Sequence, residues 1–302
     1  MRIGFTKCHG SGNDFPLIDA RALAPGDAAW AGVARALADR AGPVGGDGIL
    51  LLVEGDGGHA FGMRMFNADG SEAETCLNGL RCVARAGFEA LGLDAARVKL
   101  KTSSADVARA PEIAPGVATV RTSVGPAETG AAAIGLRGDL PSDREFVAVA
   151  MPNPHLVTFV DRVDEDELFA LGRWCESAPP ALPARANVSF VELRRDALFV
   201  RTFERGVGLT NACGSAMAAS VYAAGLTGRA AFGREIAVFN KGGLVRGAAE
   251  ADGRVTILGN ATFEWDGEVE VDPAAATARD LRVTRRRDAE IAAWDAAVAA
   301  LA

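Results

Sequence analysis

Two cysteines, Cys76 and Cys213, each follow a polar, turn-forming stretch and open a segment suited to a helix. The first lies in NADGSEAETCLNGLRCVAR (67–85), where Asn67, Asp69, Gly70 and Ser71 read as a turn. Leu80, Val83, Ala84 and Phe88 then recur near helical spacing. The second lies in ERGVGLTNACGSAMAA (204–219), a glycine-rich turn followed by small residues that suit a packed helix. Backbone N–H groups at a helix start favour anions, so a thiol there is drawn toward its thiolate and a carboxylate can be held beside it. A reaction that needs two equivalent groups on opposite faces of one carbon is inversion at a stereocentre. One cysteine as thiolate would remove the proton, the other as thiol would supply one, and the roles would exchange with direction. An amino-acid α-hydrogen is very weakly acidic, so the helix-start N–H groups, in a water-poor cleft, would have to stabilise the carbanion. No lysine motif argues for a pyridoxal electron sink.

The elements that deliver these cysteines occur twice. Met63, Arg64, Phe66, Asn67 and Cys76 align with Val200, Arg201, Phe203, Glu204 and Cys213 at a constant offset of 137. Val53 and Glu54 meet Val191 and Glu192 at 138, and GNDFPLID around Asn13 resembles PNPHLVTFVD around Asn153 at 140. A matched order of strand, strand and cysteine-led helix over about half the chain argues for two similar halves. We expect an N-terminal half at 1–125, a C-terminal half at 126–272, whose last strands could return to the first, and a helical extension at 273–302.

The chain has 302 residues, 49% of them hydrophobic, enough for two compact domains with their own cores. A net charge of −7 provides no basic footprint for nucleic acid, so a small polar substrate is the expected partner. The N-terminus MRIGFTKCHGSGNDF alternates polar and apolar residues unlike a secretory signal, and no apolar run approaches the roughly 20 residues that cross a bilayer. A cytoplasmic protein without membrane partners is expected. The five cysteines (Cys8, Cys76, Cys82, Cys175, Cys213) are odd in number and scattered, which suits a reducing compartment. With no CxxC, and with His9, His59 and His155 forming no HExxH, a metal site has little support.

Strands are expected at 3–8, 15–19, 49–53, 61–66, 98–101 and 117–121 in the first half, and at 146–151, 156–160, 188–193 and 198–203 in the second. Asn13 then falls in a polar loop. Helices are expected at 28–39, capped near Asp27, at 165–174, and at 288–301 with Ile291, Trp294, Val298 and Leu301 on one side. The glycines of AGPVGGDG (41–48) read as a tight turn, since neither GK[ST] nor a placed GxGxxG is present. Residues 122–143 read as the crossing between halves, and 236–272 as hairpins.

HGSGNDF, NADGSEAETCLNGLRC, NPH at 153–155, Asn187 in ARANVSFVE, and ERGVG followed by ACGS resemble diaminopimelate epimerase, in that family's order and over roughly residues 1–272. The resemblance implies an α/β (α+β) fold of two pseudo-symmetric domains. Each is a mixed β-sheet or barrel wrapped around a central helix, with the active site in the cleft between them. It also implies cofactor-independent interconversion of LL- and meso-diaminopimelate, and a homodimer. By motif, Cys76 and Cys213 match the proton-transferring pair, and His155 and Glu204 the groups that tune the thiols. Gly214 and Ser215, with Leu77 and Asn78, match the backbone cradle of the reacting carboxylate. Asn13, Asn67, Asn153, Asn187, Glu204 and Arg205 match the residues around the remaining polar groups. Arg205 would pair in a bidentate manner with the distal carboxylate.

Three positions depart from the family's pattern. Leu77 stands where Gly follows the first cysteine, Leu209 where Glu precedes Thr210, and Pro152 where Gly is common. Leu77 would fill space beside the reacting carbon and alter which substrate fits. Taken singly, His155 reads as a structural histidine, Arg205 as a surface ion-pair partner, Glu204 as a solvated charge, and Cys8, Cys82 and Cys175 as inert buried thiols. Two further functions remain open: a related racemase or isomerase of another amino acid, and a non-catalytic binding or redox-sensing relative.

Overall fold

The computed structural model describes residues 1–23, 25–151 and 153–300. In chain order these form β1 (Arg2–Gly10), β2 (Asn13–Asp19), α1 (Asp27–Ala38), β3 (Gly48–Asp56), β4 (His59–Asn67), α2 (Leu77–Leu91), β5 (Ala95–Lys99), β6 (Ser104–Ala110) and β7 (Thr119–Val124). There follow β8 (Glu128–Thr129), a 3₁₀ turn (Ala131–Ile134), β9 (Val147–Met151), β10 (Asn153–Val160), α3 (Glu165–Glu176), β11 (Asn187–Arg194), β12 (Ala197–Glu204), β13 (Gly208–Thr210) and α4 (Gly214–Leu226). The chain ends through β14 (Ile236–Asn240), β15 (Gly243–Ala249), β16 (Val255–Asn260), β17 (Thr262–Asp272), β18 (Thr277–Arg286) and α5 (Asp288–Ala299). Two units result: Met1–Thr122 with Leu258–Ala302, and Ser123–Ile257.

Each unit repeats one topology. In unit 1, β1 and β2 pair antiparallel, β2 and β3 parallel, β3 and β4 antiparallel, β4 and β5 parallel, and β5 and β6 antiparallel. In unit 2 the same alternation runs through β9, β10, β11, β12, β14 and β15. The parallel steps need long crossovers, which α1 and α2 supply in unit 1 and α3 and α4 in unit 2. A parallel strand covered on both faces reads as a continuous apolar run, and β3 (GILLLVEGD) shows why. Ile49 and Leu51 pack with Trp30, Val33 and Leu37 of α1, while Leu50 faces α2, where a Cβ on Gly79 would come within 2.6 Å of its Cδ2. Unit 2 matches this. Val188 and Phe190 of β11 pack with Leu168 and Leu171 of α3, while Val191 joins Met217, Val221 and Tyr222 of α4. Each fully buried side chain of this kind contributes about 1.5–3 kcal/mol.

Several expectations are corrected. Asn13 is the first residue of β2, opposite Gly10, because Ser11 and Gly12 (φ 53° and 78°) close a two-residue hairpin turn of the kind that matches strand twist. Asp27 is the first residue of α1, and Gly26 (φ 85°) precedes it without a side-chain cap. Residues 104–110 form the unexpected β6, and β8 and the 3₁₀ turn lie within the expected crossing. The end of the chain is not simply a helical extension. β17 pairs β1, and residues 277–286 pair antiparallel with β17 as β18, because that strand offers an edge no local pattern announces. α5 then packs on unit 1 through Trp294, whose ring lies 5.5 Å from that of His9, and through Glu290, which binds Arg85 (2.9 Å). Leu301 and Pro152 lie outside the described residues. None of the described helices is long and apolar enough to cross a membrane.

Candidate active site

In both units the central helix begins on a cysteine. β4 ends at Asn67, and a turn closed by Gly70 N–H to Asn67 O (2.9 Å) leads to Cys76, the N-cap of α2, in extended conformation (φ −147°, ψ 102°). The Gly79 N–H donates to its Sγ (3.3 Å), a capping role usually played by an oxygen. β12 ends at Glu204, and after β13 the chain reaches Cys213, the N-cap of α4, with nearly the same backbone (φ −124°, ψ 111°). The first N–H groups of both helices have no intrahelical acceptor and point where an anion would sit.

Around Cys76, its Sγ donates to Asn13 Oδ1 (3.7 Å). Asp47, from the glycine turn, accepts from Asn13 Nδ2 (2.5 Å), which turns the amide oxygen toward the thiol. Arg40 bridges Asp47 and Asp14 (both 2.6 Å), and the buried Lys7 also binds Asp14 (2.6 Å). Burial pushes the Asp14 carboxyl up, yet Arg40 and Lys7 together hold it below the usual carboxylate range. Leu77 and Asn78 are both buried, and both are bound from behind by Arg81. Asn67 is engaged in its own turn, donating to Ser71 Oγ (3.0 Å).

Around Cys213 a relay of polar groups forms. His155 Nε2 lies 3.1 Å from Asn153 Oδ1, Asn153 Nδ2 donates to Ser215 Oγ (3.3 Å), and Ser215 Oγ lies 3.5 Å from Cys213 Sγ. The Asn153 amide oxygen thus faces the His155 ring and its nitrogen faces Ser215. Burial, and then the Arg205 guanidinium, push the His155 pKa down to about 3, so the ring is neutral. Burial also pushes the Cys213 thiol well above the usual range, and the Glu204 carboxylate adds to this. The Ser215 hydroxyl and the Ala216 N–H act in the opposite direction. Asn187 pairs in register with His155, and its Oδ1 accepts from the Arg205 N–H (2.8 Å). Among the described residues, His155 Nδ1 and Asn187 Nδ2 are buried without hydrogen-bond partners, and no carboxylate lies within 4.0 Å of the Arg205 guanidinium. A buried unpaired polar atom costs about 1–3 kcal/mol, which a ligand's polar group would recover.

Thus Asn13, Leu77 and Asn78 gather at Cys76, and Asn153, His155, Asn187, Glu204, Arg205, Gly214 and Ser215 gather at Cys213. Sequence reasoning missed Asp47 and Arg81. Asp47 lies within a glycine turn whose pattern carries no chemical signal, and Arg81 lies inside the NGLRC motif, where an arginine on a helix reads as a solvated charge. Leu209 lies in β13 opposite Phe203, on the surface of the turn. Among the described residues no three His, Cys, Asp or Glu gather as a metal centre.

A family model described as diaminopimelate epimerase matches residues 5–127 and 147–264. A diaminopimelate epimerase of Listeria innocua is 38% identical, with 91% of each chain covered, and one of Clostridium acetobutylicum is 36% identical, covering 90% of this chain and 87% of its own. Among solved structures, a Bacillus anthracis phenazine biosynthesis protein of the PhzF family superposes with a TM-score of 0.65 at 16% identity, covering 90% of this chain and all of its own. A probable proline racemase of Agrobacterium radiobacter superposes at 0.64 and 14%, covering 91% and 96%. These two likenesses are of fold.

Proposed function

The chain belongs to the diaminopimelate epimerase family, and from that membership we propose that it interconverts LL- and meso-2,6-diaminopimelate, with Cys76 and Cys213 as the two acid–base groups. The reaction is a step of lysine and peptidoglycan-precursor synthesis, and we assign it to the cytoplasm. The observation that supports the two-base reading is that each unit presents one thiol as the cap of its central helix.

One thiolate takes the α-proton, the electron pair left on carbon is delocalised into the adjacent carboxylate, and the other thiol returns a proton to the opposite face. The enzyme ends with its two sulfurs in exchanged protonation states, ready for the reverse reaction. N–H groups opening α2 and α4 receive the carboxylate as its charge grows, and loss of one such donor typically costs about 10²–10³ in rate. Neutral His155 holds Asn153 and, through it, Ser215, so that the hydroxyl is oriented at the Cys213 sulfur. The Arg205 guanidinium, whose Nη1 donates to Ala184 O (3.1 Å), receives the distal carboxylate, the group that separates this substrate from a monocarboxylic amino acid.

The test is proton NMR of LL-diaminopimelate in D2O with reduced protein, following α-deuterium incorporation and the growth of the meso isomer. Exchange together with inversion is expected. Folded protein with free thiols that exchanges nothing would send the search to other amino acids.

A further inference from the structure

Among the described residues Arg81 is the largest fully buried side chain, and its hydrogen bonds are all to neutral groups. Its Nε donates to Asn260 O (3.0 Å), Nη1 to Leu77 O (3.4 Å), and Nη2 to Ser11 Oγ and Asn78 Oδ1 (both 3.0 Å). Among the described residues no carboxylate lies within 4.0 Å of it, whereas Arg85, one turn further along α2, is paired with Glu89 and Glu290. A buried cation without a counter-ion is costly, so its retention calls for a use other than stability. The chain is shaped to admit it: a Cβ on Gly10 would come within 2.5 Å of Asn78 O and 3.0 Å of Arg81 Nη2.

The repeat shows what this charge is for. At the offset of 137, Arg81 corresponds to Ala218 of α4, and Asn67 to Glu204. The first turn of α2 is therefore bound by a cation that α4 lacks at the matching position, and the strand before Cys213 ends in a carboxylate where the strand before Cys76 ends in an amide. Both differences act in the same sense, favouring thiolate at Cys76 and thiol at Cys213.

We propose that Arg81 is a positioning residue for the epimerisation: it clamps the first turn of α2 through Leu77 and Asn78, and its charge makes Cys76 the resting base and Cys213 the resting acid. This rests on the two-thiol reading above.

Other charged and titratable groups face this pocket. His9 on β1 is neutral, its pKa pushed down to about 4 by burial with Arg81 assisting and Asp14 opposing. Cys82 on α2 and Cys8 on β1 are buried thiols, and Cys8 is pushed well up by burial. Lys7, Asp14, Arg40 and Asp47 form the balanced group behind Asn13, and Glu290 and Asp295 approach from α5. Asn13's carbonyl favours the thiol, but as a neutral dipole it opposes a full charge only weakly. Burial pulls Arg81 down only to about 10, and the nearby Cys82 and Cys76 sulfurs pull it back up, so it remains a cation at neutral pH. By reciprocity the cation stabilises a thiolate at Cys76.

The experiment is the pH dependence of iodoacetamide alkylation, followed by peptide mass spectrometry, which needs no substrate. Cys76 is read in Cys213→Ala and Cys213 in Cys76→Ala. The Cys76 midpoint is expected at least about one pH unit lower, a tenfold difference in thiolate fraction. Adding Arg81→Met to Cys213→Ala should raise the Cys76 midpoint by about one unit, and Arg81→Lys should restore most of it. In the otherwise unaltered enzyme, Arg81→Met should move the acidic limb of kcat/KM for LL-diaminopimelate upward by a similar amount. Equal midpoints in the two parent proteins would overturn the proposal, as would an unshifted Cys76 midpoint in Arg81→Met that circular dichroism shows to be folded. If Arg81→Met does not fold, the parent comparison decides. Unequal thiols in a protein that never epimerises diaminopimelate would instead overturn only the substrate reading.

Discussion

In unit 1 the capping cysteine faces Asn13, an amide turned toward it by Asp47, with a buried guanidinium behind the helix. In unit 2 the capping cysteine faces Ser215, a hydroxyl tied through Asn153 to a neutral histidine, with the Glu204 carboxylate beside the sulfur. The backbones agree closely, with a cysteine cap in extended conformation at the head of a buried helix. The side chains around them do not. A duplicated fold thus preserves the direction in which helix N–H groups point, while the charges at corresponding positions diverge. On the proposed two-thiol reading, such divergence biases which sulfur begins charged and which protonated.

The harshest way to break the comparison is to remove either sulfur. Cys76→Ala and Cys213→Ala should each lower kcat for inversion by about 10³ or more, since on the proposed two-base reading each deletes the proton carrier of one face. The D2O experiment reads this directly, and a single variant that still forms the meso isomer would end the two-base scheme.

On the proposed reading Arg205 receives the distal carboxylate, and Arg205→Ala should raise KM for diaminopimelate about 10–100-fold with a smaller change in kcat, the size expected for a lost charge-assisted pair. Steady-state kinetics with an unchanged kcat/KM would remove the assignment.

The two buried histidines, one per unit, should answer acid in the same sense. An unfolded histidine titrates near 6.5, whereas His9 and His155 in the fold are held down to about 4 and 3 by burial. Below 6.5 the unfolded chain therefore binds protons that the native chain refuses. Stability present above 6.5 is lost as pH falls, until about 4 for His9 and about 3 for His155. Comparison of His155→Gln with the parent by urea unfolding should show the parent's advantage shrinking by about 1.4 kcal/mol per pH unit between pH 6 and 4. A pH-independent difference would show that His155 is not neutral in the fold.

The mildest change sharpens unit 2 alone. Glu204 raises the Cys213 pKa, so Glu204→Gln, in Cys76→Ala protein, should lower the Cys213 alkylation midpoint by about one unit. A midpoint that stays or rises would mean that the carboxylate does not act on the sulfur.

Both cysteine-led helices, the strands flanking them and the duplication can be read from local pattern. A turn-former run, an apolar period and a constant offset each live within a few consecutive residues. Asn13 was misplaced in a loop because the two-residue turn at Ser11 and Gly12 becomes visible only when Gly10 and Asn13 pair. Residues 277–286 show no strand signal of their own and become β18 by completing the edge of β17.

The sequence by itself determined the cysteine caps, the repeated strand order and the family, since propensity, capping and motif spacing are short-range properties of the chain. Only the tertiary structure decided the burial of Arg81 without a carboxylate, the aim of Asn13 from Asp47, and the neutrality of His9 and His155. The ionisation of a side chain depends on solvent removed and charges brought near by segments far away in sequence, as Asn260 meets Arg81 across 179 positions.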